Sequence, residues 1–595
     1  MKYSDQFIDW LVEEGYTHCF FVAGGNNMHL LDSVRTRLVC VPFVHEVAAA
    51  IAAEYFTATR DPGAGKAFAL VTAGPGLTNT VTALGSAWME SRELLIIGGQ
   101  VKSSDLATGG VRQRGIQEID GVTLVESVCK RVLRVERPVR RSVVMDAVRE
   151  GTQGRPGPVF IEVCLDAQGA PASIADEGGT LESAANPVAS TRVVSSVAHL
   201  LSGAARPMLL LGHGVSRATA RALTDGFARA DVPVMLTWNA ADRLPSEHPS
   251  YAGRPNTWGQ RSANVLLQQA DVLVVVGSRL GLQQTGFAWE EFAPLATVVQ
   301  VDLDQAELDK GHPHVELPVR ADADDFLRRL LPAIDDPGED RRGWSRFVTD
   351  TRRRLPIAEL SNSTGPGYVR PYEMLAELGS VLGDDDIIIP CSSGGAFTVT
   401  MQAFELRGEQ KILTNKGLAS MGYGLSGSIG AALANPARRT VLIEGDGGFA
   451  QNLQELGTVA VNQLNLKILL FANNGYASIR MTQRNYFDGA WIGCDIQTGL
   501  GLPEWALMAR AYGIPYGRMK PDDPFDAATR ALLDEPGPAF IEVPIDPEQT
   551  YFPKIASSVQ SDGSMRSNPL HLMNPELDAE TTATTMPYLI RTDAK

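Results

Sequence analysis

The sequence predicts an α/β protein with three doubly wound parallel-sheet domains, and two observations predict this class. First, short runs of apolar and β-branched residues alternate with longer helical stretches along the chain. Runs that are apolar throughout are typical of strands that helices cover on both faces, as in parallel sheets with crossover helices. Second, two stretches of linker composition, 166–190 and about 335–370, divide the chain. We therefore predict domains at 1–165, 190–332 and 370–550, followed by a polar tail at 551–595.

Length and composition agree with a globular protein and exclude several other classes. The 595 residues suffice for about three or four domains of roughly 100–200 residues. With 44% hydrophobic and 21% charged residues, the chain has neither a disordered nor a membrane-bundle composition. We expect a cytoplasmic protein without a membrane partner, because neither an apolar run of about 18 residues nor a signal peptide is visible. The net charge of −16 argues against a nucleic-acid partner.

The apolar runs indicate strands in each of the three blocks. They lie at 67–73 and 93–99 in the first block, at 207–214, 271–278 and 297–304 in the second, and at 385–392, 439–447, 466–474 and 539–546 in the third. The first and third blocks close on the related segments RPGPVFIEVCLD (155–166) and EPGPAFIEVPID (535–546), which indicates a duplicated domain. Ligands of doubly wound sheets bind beyond the carboxyl ends of the strands, so the residues after these runs are candidates for a site.

The third block contains the strongest candidate, RTVLIEGDGGFAQNLQELGTVAVNQLNLKILLFANNGYASI (439–479). One strand ends shortly before Asp446 and the next ends before Asn473, and adjacent parallel strands bring both residues to one sheet edge. A carboxylate and an amide oxygen suit Mg²⁺, which also takes phosphate oxygens. Gly447 and Gly448 let backbone amides approach a phosphate at a helix N-terminus. An ordinary strand, turn and helix with a capping aspartate is the alternative, but the second strand with its asparagine favours a diphosphate site.

These residues resemble the diphosphate-binding motif of thiamine diphosphate-dependent enzymes of the acetohydroxyacid (acetolactate) synthase-like family. The resemblance extends over about residues 1–555. It implies that Mg²⁺ is held by Asp446, by Asn473, 27 positions later, and by the backbone carbonyl of Gly475. Ala472 stands where the family usually has the first asparagine of a pair. The cofactor contacts that the resemblance implies in this block are those of Ser393, Gly394, Ala419, Met421, Gly447, Gly448 and Tyr476.

The segment NKGLASMGYGLSGSIGAALANP (415–436) resembles a second motif of the family. This resemblance implies that Met421 is the apolar wedge that forces the pyrimidine over the thiazolium of the cofactor. A methionine that fills a gap in the core is the ordinary alternative. Ala419 replaces a glycine whose backbone carbonyl receives the 4′-amino group in the family, and alanine supplies the same backbone group.

The first block resembles the pyrimidine-binding domain of the same family. Glu46, in FVHEVAAAIAAEYFTATR (43–60), is implied to be the activating glutamate, which binds N1′ of the aminopyrimidine. By itself, a glutamate at a helix start only complements the helix dipole. The loop that faces the pyrimidine across a subunit interface is matched by Gly74, Pro75, Gly76 and Asn79. Gln117 is implied to face the substrate as a second catalytic residue, beside Ile116 in place of the family's phenylalanine.

The central block resembles the domain that binds FAD in the flavin-carrying members of the family. The segments GHGVSRATARA (212–222), GSRLGLQQTG (277–286) and VQVDLDQAEL (299–308) occur in the family's order. The GHG glycines are a weak indication, because glycines follow many strands, and Gln284 replaces the arginine before the family's Thr-Gly pair. The sequence leaves FAD binding open. A bound FAD would have a structural role, because carboligation has no net redox step.

Together these features predict a thiamine diphosphate- and Mg²⁺-dependent carboligase of acetolactate synthase-like type. We expect it to decarboxylate a small-molecule 2-keto acid, with pyruvate as the expected one, and to transfer the acyl unit to an acceptor carbonyl. The resemblance implies a homodimer or homotetramer. Segments 258–286 and 473–487 look more like carboligases of sugar and secondary-metabolite pathways than like amino-acid biosynthetic synthases.

Two alternatives stay open. One is a non-oxidative 2-keto acid decarboxylase, although the paired histidines of the pyruvate decarboxylase branch are not apparent in the sequence. The other is an inactive regulatory or scaffold homologue. The joint presence of Glu46, Asp446 and Asn473 argues against that class.

Overall fold

The computed structural model describes residues 1–172, 185–336, 338–390, 393–559 and 565–589. It contains three six-stranded sheets with flanking helices, which confirms the predicted class of three doubly wound α/β domains. The chain forms two compact units. The first comprises Met1–Ala185, Asp385–Phe397 and Leu413–Pro544, and the second comprises Asn186–Asp384, Thr398–Ile412 and Ile545–Lys595.

The first sheet consists of β1 (Tyr16–Phe21), β2 (Val39–Pro42), β3 (Lys66–Val71), β4 (Leu94–Gln100), β5 (Arg131–Val135) and β6 (Pro158–Cys164). Its strands run parallel in the order β2-β1-β3-β4-β6-β5. The helices in this part of the chain are α1 (Tyr3–Glu13), α2 (Met28–Val34), α3 (Glu46–Thr59), α4 (Pro75–Thr78), α5 (Val81–Glu90), α6 (Gly121–Val125), α7 (Arg141–Glu150) and α8 (Leu165–Gly169). Strands β4 and β6 are buried along their whole length, as expected of strands covered on both faces.

The second sheet consists of β7 (Pro207–Leu211), β8 (Val234–Leu236), β9 (Tyr251–Gly253), β10 (Val272–Val276), β11 (Thr297–Asp302) and β12 (Leu317–Arg320). Its strands run parallel in the order β12-β11-β10-β7-β8-β9, so the order reverses between β10 and β7. The helices here are α9 (Thr191–Gly203), α10 (Arg217–Ala222), α11 (Thr224–Ala230), α12 (Arg261–Leu267), α13 (Leu282–Thr285), α14 (Gln305–Asp309), α15 (Ala323–Leu330) and α16 (Glu339–Arg354).

The third sheet consists of β13 (Ile387–Pro390), β14 (Lys411–Ile412), β15 (Thr440–Gly445), β16 (Leu466–Ala472), β17 (Tyr516–Arg518) and β18 (Ala539–Pro544). The strand order is β14-β13-β15-β16-β18-β17, and the strands from β13 to β17 pair in parallel. The helices are α17 (Pro371–Val381), α18 (Gly394–Ala403), α19 (Tyr423–Ala434), α20 (Asp446–Phe449), α21 (Leu456–Val461), α22 (Ala477–Tyr486), α23 (Trp505–Ala511) and α24 (Ala527–Asp534). Because β15 and β16 are neighbours, the residues that follow them lie at one edge.

The tail also contains regular structure. Its elements are β19 (Lys554–Ile555), β20 (Ser557–Val559), β21 (Met565–Ser567), β22 (Met573–Asn574) and α25 (Ala579–Thr585). Strand β19 pairs with β22, and β20 pairs with β21, both antiparallel. Short 3₁₀ helices lie at Gly25–Asn27, Ser103–Asp105, Glu126–Val128, Trp238–Ala240, Trp289–Glu291, Leu331–Ala333, Leu453–Glu455 and Ile496–Thr498.

The predicted linkers contain more structure than their composition indicates. Much of the stretch 335–370 forms α16, whose buried residues Trp344, Val348 and Thr351 recur at helical spacing. Of the stretch 166–190, residues 173–184 lie outside the described residues. The domain boundaries themselves stay predictions. In the described part of the chain, no helix combines the length and apolar character needed to cross a membrane.

The core of the first unit includes a close contact between two helices with small residues. Helix α3 supplies the alanine-rich sequence EVAAAIAAEYFTAT, and α19 supplies glycines to the same apolar cluster. A Cβ atom on Gly430 would lie 2.1 Å from the carbonyl oxygen of Ala52, and one on Gly427 would lie 2.6 Å from the Tyr55 ring. Only glycine fits at these two positions, so the two helix backbones approach each other directly.

Candidate active site

The candidate residues of the first unit follow strands of the first and third sheets at their carboxyl ends. In the first sheet, Glu46 follows β2 and Gly74 follows β3. Gln117 lies in the long loop after β4. In the third sheet, Asp446 follows β15 and Asn473 follows β16. This is the edge at which doubly wound sheets bind ligands.

Glu46 is the first residue of α3 and is 9% exposed. The chain enters the helix through His45, whose extended backbone has φ −139° and ψ 139°. The Nδ2 atom of Asn79 donates a hydrogen bond to Glu46 Oε2 at 2.9 Å. Asn79 comes directly after α4, so the short helix after the Gly-Pro-Gly turn fixes the orientation of the glutamate.

Glu455 holds the segment that leads into Glu46. Its Oε1 accepts a hydrogen bond from the backbone N–H of His45 at 3.0 Å, and its Oε2 accepts one from that of Val44 at 3.4 Å. The side chain is buried, which raises the pKa of Glu455, and the hydroxyl of Thr458 donates a further hydrogen bond at 2.6 Å. Glu455, which lies in the third domain of the chain, therefore positions the segment that leads into α3.

The Gly-Pro-Gly turn packs against the backbone of Gln117. Gly74 has φ +64° and ψ −111°, and Pro75 begins α4 immediately after it. A Cβ atom on Gly74 would lie 2.3 Å from the carbonyl oxygen of Gln117. Gln117 itself has φ +63°, in the left-handed region that few residues other than glycine adopt. Both conformation and space therefore require glycine at Gly74, and the contact brings the predicted pyrimidine loop to the predicted substrate residue.

Asp446 occupies a buried position at the start of α20. Its Oδ2 accepts hydrogen bonds from the backbone N–H groups of Asn473 at 3.0 Å and Gly475 at 3.2 Å, and its Oδ1 accepts one from Gly447 at 2.8 Å. Burial raises the pKa of Asp446 to about 6, although these amides oppose the shift. A carboxylate in this environment gains from a nearby cation, because the cation compensates for the lost hydration.

Two hydrogen bonds to backbone N–H groups hold the loop that leads through Ala419 to Met421. Glu90 Oε1 accepts a hydrogen bond from the backbone N–H of Lys416 at 2.6 Å. Asn415 Oδ1 accepts one from the N–H of Ala419 at 2.9 Å. Ala419 has φ +54°, so this alanine adopts the conformation of the glycine that it replaces. Met421 is 39% exposed, which argues against the alternative of a core methionine.

Ser393 and Gly394 lie directly after two residues, 391 and 392, that are outside the described part of the chain. Gly394 begins α18 with φ +80°. A Cβ atom on Gly394 would be 3.8 Å from Ser478 Oγ, at the start of α22. These two predicted residues therefore lie beside the helix that follows the Asn473 loop.

Comparison with known proteins decides the family. Three models described as thiamine pyrophosphate enzyme domains match the chain: the N-terminal TPP binding domain at 1–124, the central domain at 194–330 and the C-terminal TPP binding domain at 393–543. The acetolactate synthase isozyme 1 large subunit of Escherichia coli (strain K12) is 32% identical over 557 residues, which cover 93% of this chain and 95% of that relative. The chain belongs to the thiamine pyrophosphate enzyme family.

Other relatives agree with this assignment to the thiamine pyrophosphate (thiamine diphosphate) enzymes. The acetolactate synthase isozyme 2 large subunit of Escherichia coli (strain K12) is 29% identical over 559 residues, covering 92% of this chain and 96% of the relative. The probable acetolactate synthase large subunit of Methanocaldococcus jannaschii is 28% identical over 571 residues, covering 92% and 93%. The predicted relationship is confirmed, and the protein is a thiamine diphosphate-dependent carboligase of acetolactate synthase-like type.

The residues of this thiamine diphosphate enzyme fit a divalent cation. The side-chain oxygen of Asn473 faces only acceptors: its position is 2.8 Å from the carbonyl oxygen of Gly475 and 3.2 Å from Asp446 Oδ1. A rotated amide would donate hydrogen bonds to both of these oxygens. With the amide oxygen in place, it lies about 3 Å from each of the other two oxygens, which is the spacing of neighbouring ligands in an octahedral Mg²⁺ shell with bonds of about 2.1 Å.

The surroundings also fit the organic part of the thiamine diphosphate. A Cβ atom on Gly447 would lie 2.3 Å from the ring of Tyr476, so the glycine turn and this tyrosine are in direct contact. At the end of β3, Thr72 Oγ1 is buried and has no hydrogen-bond partner among the described residues. A polar atom of a bound ring can supply the missing hydrogen-bond partner at this edge of the sheet.

The structure joins the predicted residues into separate contacts. Glu46 contacts Asn79, Gly74 contacts Gln117, and Asp446 contacts the Asn473–Gly475 loop. Sequence analysis missed Glu455 and Glu90. Their partners are backbone N–H groups far away in the chain, and no sequence motif identifies such partners.

Proposed function

We propose that this enzyme uses thiamine diphosphate and Mg²⁺ to decarboxylate pyruvate and transfer the acetyl unit to an acceptor carbonyl. The observation that carries the proposal is the convergence of the Asp446, Asn473 and Gly475 oxygens beside the glycine turn. The relatives are named acetolactate synthases, which supports pyruvate as the 2-keto acid. The reaction balances without an oxidant: the donor loses CO₂, and a new C–C bond makes a 2-hydroxy ketone.

The proposed roles of the third-domain residues are binding roles. Asp446, Asn473 and the Gly475 carbonyl would hold Mg²⁺, while Gly447 and Gly448 would bring the backbone at the start of α20 close to the diphosphate. Ser393, Gly394 and Tyr476 would line the same end of the cofactor. Bound thiamine diphosphate supplies the acidic thiazolium carbon that decarboxylation and acyl transfer require.

The proposed roles of the first-domain residues concern the pyrimidine and the substrates. Glu46 would hold a proton shared with N1′ of the pyrimidine, in the orientation that Asn79 gives its carboxylate. Gly74, Pro75 and Gly76 would form the surface under the ring. The loop at 415–421 would contribute the Ala419 carbonyl and the Met421 side chain, which fits the exposure of Met421.

The acceptor pocket is proposed to include Gln117, Ile116 and the segment 478–487. Ile116 is 86% exposed, and Phe487, just after α22, is 63% exposed. These apolar side chains favour an acceptor with an apolar portion.

The proposed function is tested by mass spectrometry of the products formed from pyruvate with aldehydes, ketones and keto sugars. Acetolactate alone would place the enzyme with the biosynthetic synthases. Free acetaldehyde without any adduct would overturn the carboligase assignment in favour of the decarboxylase.

For the central domain we infer that the glycine loop is a poor match for the diphosphate of FAD. The N–H groups of Gly212 and Gly214 donate to the carbonyls of Val276 and Gly277, each at 2.9 Å. The N–H of Ser216 donates to the carboxylate of Asp324 at 2.9 Å, which is an acidic neighbour for a phosphate. Gln284 is buried and donates to the Pro255 carbonyl at 2.6 Å. No step is assigned to a flavin, and absorbance near 450 nm in the purified protein would contradict this conclusion.

We also propose a homodimer, or a homotetramer built from such dimers, and a cytoplasmic location. Exposed apolar residues near the candidate site support a second copy: Val44 is 59% exposed and Ile116 is 86% exposed. Light scattering of the holoenzyme during turnover is the test of the oligomer. A fully active monomer would overturn it.

A further inference from the structure

One buried arginine next to the candidate metal site has no role toward the metal in the proposal above. Arg480 lies on α22 and is 2% exposed. Its Nη2 atom donates a hydrogen bond to the backbone carbonyl of Asn473 at 2.7 Å. Its Nη1 atom donates to the carbonyl of Asn474 at 3.1 Å. One rigid guanidinium therefore fixes two consecutive peptide groups of the loop that follows β16.

The loop that Arg480 holds has an unusual backbone. Asn474 has φ +62° and Gly475 has φ +128°, so two consecutive residues have positive φ angles. On the other side, the N–H of Tyr476 donates to the carbonyl of Cys494 at 2.8 Å. A Cβ atom on Gly475 would be 2.2 Å from that carbonyl oxygen. The loop is thus held between Arg480 and the segment at Cys494.

This backbone conformation determines where two of the three converging oxygens lie. Gly475 presents its own carbonyl, and the Asn473 side chain extends from the peptide whose carbonyl Arg480 binds. Mg²⁺ requires near-ideal octahedral geometry, so a small shift of these oxygens weakens its binding strongly. Groups that orient metal ligands typically change metal affinity by about 10–100-fold when they are removed.

The charge of Arg480 requires compensation beside a cation. Asp495 supplies it: its Oδ2 is 4.0 Å from Arg480 Nη1, and it is 9% exposed. Its Oδ1 accepts a hydrogen bond from the N–H of Thr498 at 2.9 Å. Because Asp495 balances the charge of Arg480, the negative charge of Asp446 remains available to attract the metal.

We propose that Arg480 is a positioning residue for the Mg²⁺ ligands Asn473 and Gly475. It fixes their loop through the Asn473 and Asn474 carbonyls, and Asp495 is its counter-charge. The inference rests on the proposed metal site of Asp446, Asn473 and Gly475. It concerns the backbone hydrogen bonds that Arg480 donates to this loop. Its consequence is a preference for Mg²⁺ over a larger cation, because a rigid loop enforces the smaller shell.

The experiment titrates apo-enzyme with Mg²⁺ and separately with Ca²⁺, at saturating thiamine diphosphate, and follows tryptophan fluorescence. Arg480→Met should raise the apparent Kd for Mg²⁺ about 10–100-fold. It should raise that for Ca²⁺ much less, because Ca²⁺ accepts flexible geometry. Arg480→Lys keeps the charge but cannot bind both carbonyls with one rigid group, so its Kd for Mg²⁺ should lie between those of the wild type and Arg480→Met. A purely structural role would lower the melting temperature of the apo-enzyme without changing the ratio of the two Kd values.

Arg510 is the control, because it is an exposed arginine of the same domain, on α23. Arg510→Met removes the same charge from this domain and should leave both Kd values unchanged. Asp495→Asn should raise the Kd for Mg²⁺, and this increase should disappear in an Arg480→Met background because the uncompensated charge is gone.

The result that overturns the proposal is an Arg480→Met enzyme with wild-type Kd values and a wild-type preference for Mg²⁺. If Arg480→Met fails to fold, the same criteria apply to Arg480→Lys. The Asp446→Ala variant distinguishes a failure of the proposed metal site from a failure of the proposed role of Arg480. Unchanged Mg²⁺ binding in Asp446→Ala would contradict the metal site itself, whereas weakened binding there with an unchanged Arg480 variant contradicts only the role of Arg480.

Discussion

Among single residues, Glu46 has the most specific proposed role and gives the sharpest test. Glu46→Gln keeps the size of the side chain and can keep a hydrogen bond with Asn79, but it cannot hold the same proton at the pyrimidine. Turnover should fall on the order of 10²–10⁴-fold, which is the usual contribution of a positioned acid or base. Cofactor affinity, measured by titration of the apo-enzyme, should change little.

Glu126→Gln is the matched control for this variant, because Glu126 is an exposed glutamate of the first domain. Its turnover should equal that of the wild type. A Glu46→Gln enzyme with nearly wild-type turnover would remove Glu46 from the mechanism.

Asp446 should control the affinity for Mg²⁺ and thiamine diphosphate together. Asp446→Ala removes the carboxylate that accepts three backbone hydrogen bonds and contributes one converging oxygen. The Kd for Mg²⁺ should rise by more than about 100-fold, since even changes to groups that only orient ligands cost about 10–100-fold. Calorimetric titration of the apo-enzyme measures this. If both affinities stay at the wild-type value, the metal lies elsewhere.

The sequence suggests candidate site residues more readily than the residues that hold them in place. Asp446 and Asn473 could be predicted, because strand ends and ligand chemistry restrict the choice of residues. The contact between Glu46 and Asn79 needed the structure, since it depends on where α4 directs its end. Glu455 and Arg480 could not be found from sequence, because each binds backbone groups whose positions only the folded chain defines.

At the scale of elements, an ion pair links α10 to the buried Asp242, which follows the 3₁₀ helix Trp238–Ala240 in the second unit. Arg217 Nε is 2.6 Å from Asp242 Oδ2, and Arg243 also contacts this carboxylate, whose side chain is fully buried. Burial alone would raise the pKa of Asp242, but the charges of Arg217 and Arg243 outweigh it and lower the pKa to about 2. The N–H of Ile412 donates to the same carboxylate at 3.1 Å.

Asp242→Asn should destabilise the second unit by about 3–5 kcal/mol, because the buried guanidinium of Arg243 and the partly buried one of Arg217 lose their partner. A lowered carboxyl pKa means that the stabilisation is present above the unfolded pKa of about 3.9 and is lost as the pH falls through about 2. The loss in melting temperature of the variant should therefore be the same at pH 5 and pH 8 in calorimetry.

Asp309→Asn is the control, because Asp309 is an exposed aspartate of the same domain. It should melt within about 1 °C of the wild type, as most surface substitutions change stability by less than about 0.5 kcal/mol. An Asp242→Asn protein that melts with this control would mean that the ion pair contributes no net stability.

The elements themselves divide into those that sequence patterns predict and those they do not. The apolar runs at 93–99 and 466–474 correspond to β4 and β16, because buried parallel strands leave a continuous apolar pattern. Helix α16 was missed because its segment is dominated by arginine and acidic residues. Its few buried residues, Trp344 and Val348 among them, form a stripe too sparse to outweigh the linker-like composition around it.

For the whole molecule, the proposed homodimer predicts that defective subunits can complement each other. If each site takes Glu46 from one subunit and Asp446 from its partner, a heterodimer of Glu46→Gln and Asp446→Ala chains contains one intact site and one doubly defective site. Co-expression with two different affinity tags and sequential purification should give about half the turnover of a wild-type dimer. Co-expression is needed because interfaces of this kind are large and exchange slowly.

The two single-mutant homodimers, purified with the same tags, provide the baseline. A wild-type heterodimer carrying both tags gives the full value. A heterodimer no more active than the baseline would indicate that each chain completes its own site. That result would contradict a site shared between two subunits.

The contact between α3 and α19 has a consequence for how the first unit opens. Where Gly430 meets Ala52, the helix backbones touch, so no side chain can swing aside to admit water while the helices stay in place. Amide protons at this contact can reach solvent only when both helices separate, and these helices belong to two different domains. Hydrogen exchange there should therefore be slow and occur together in both helices, so the first and third domains lose their structure in a single cooperative step.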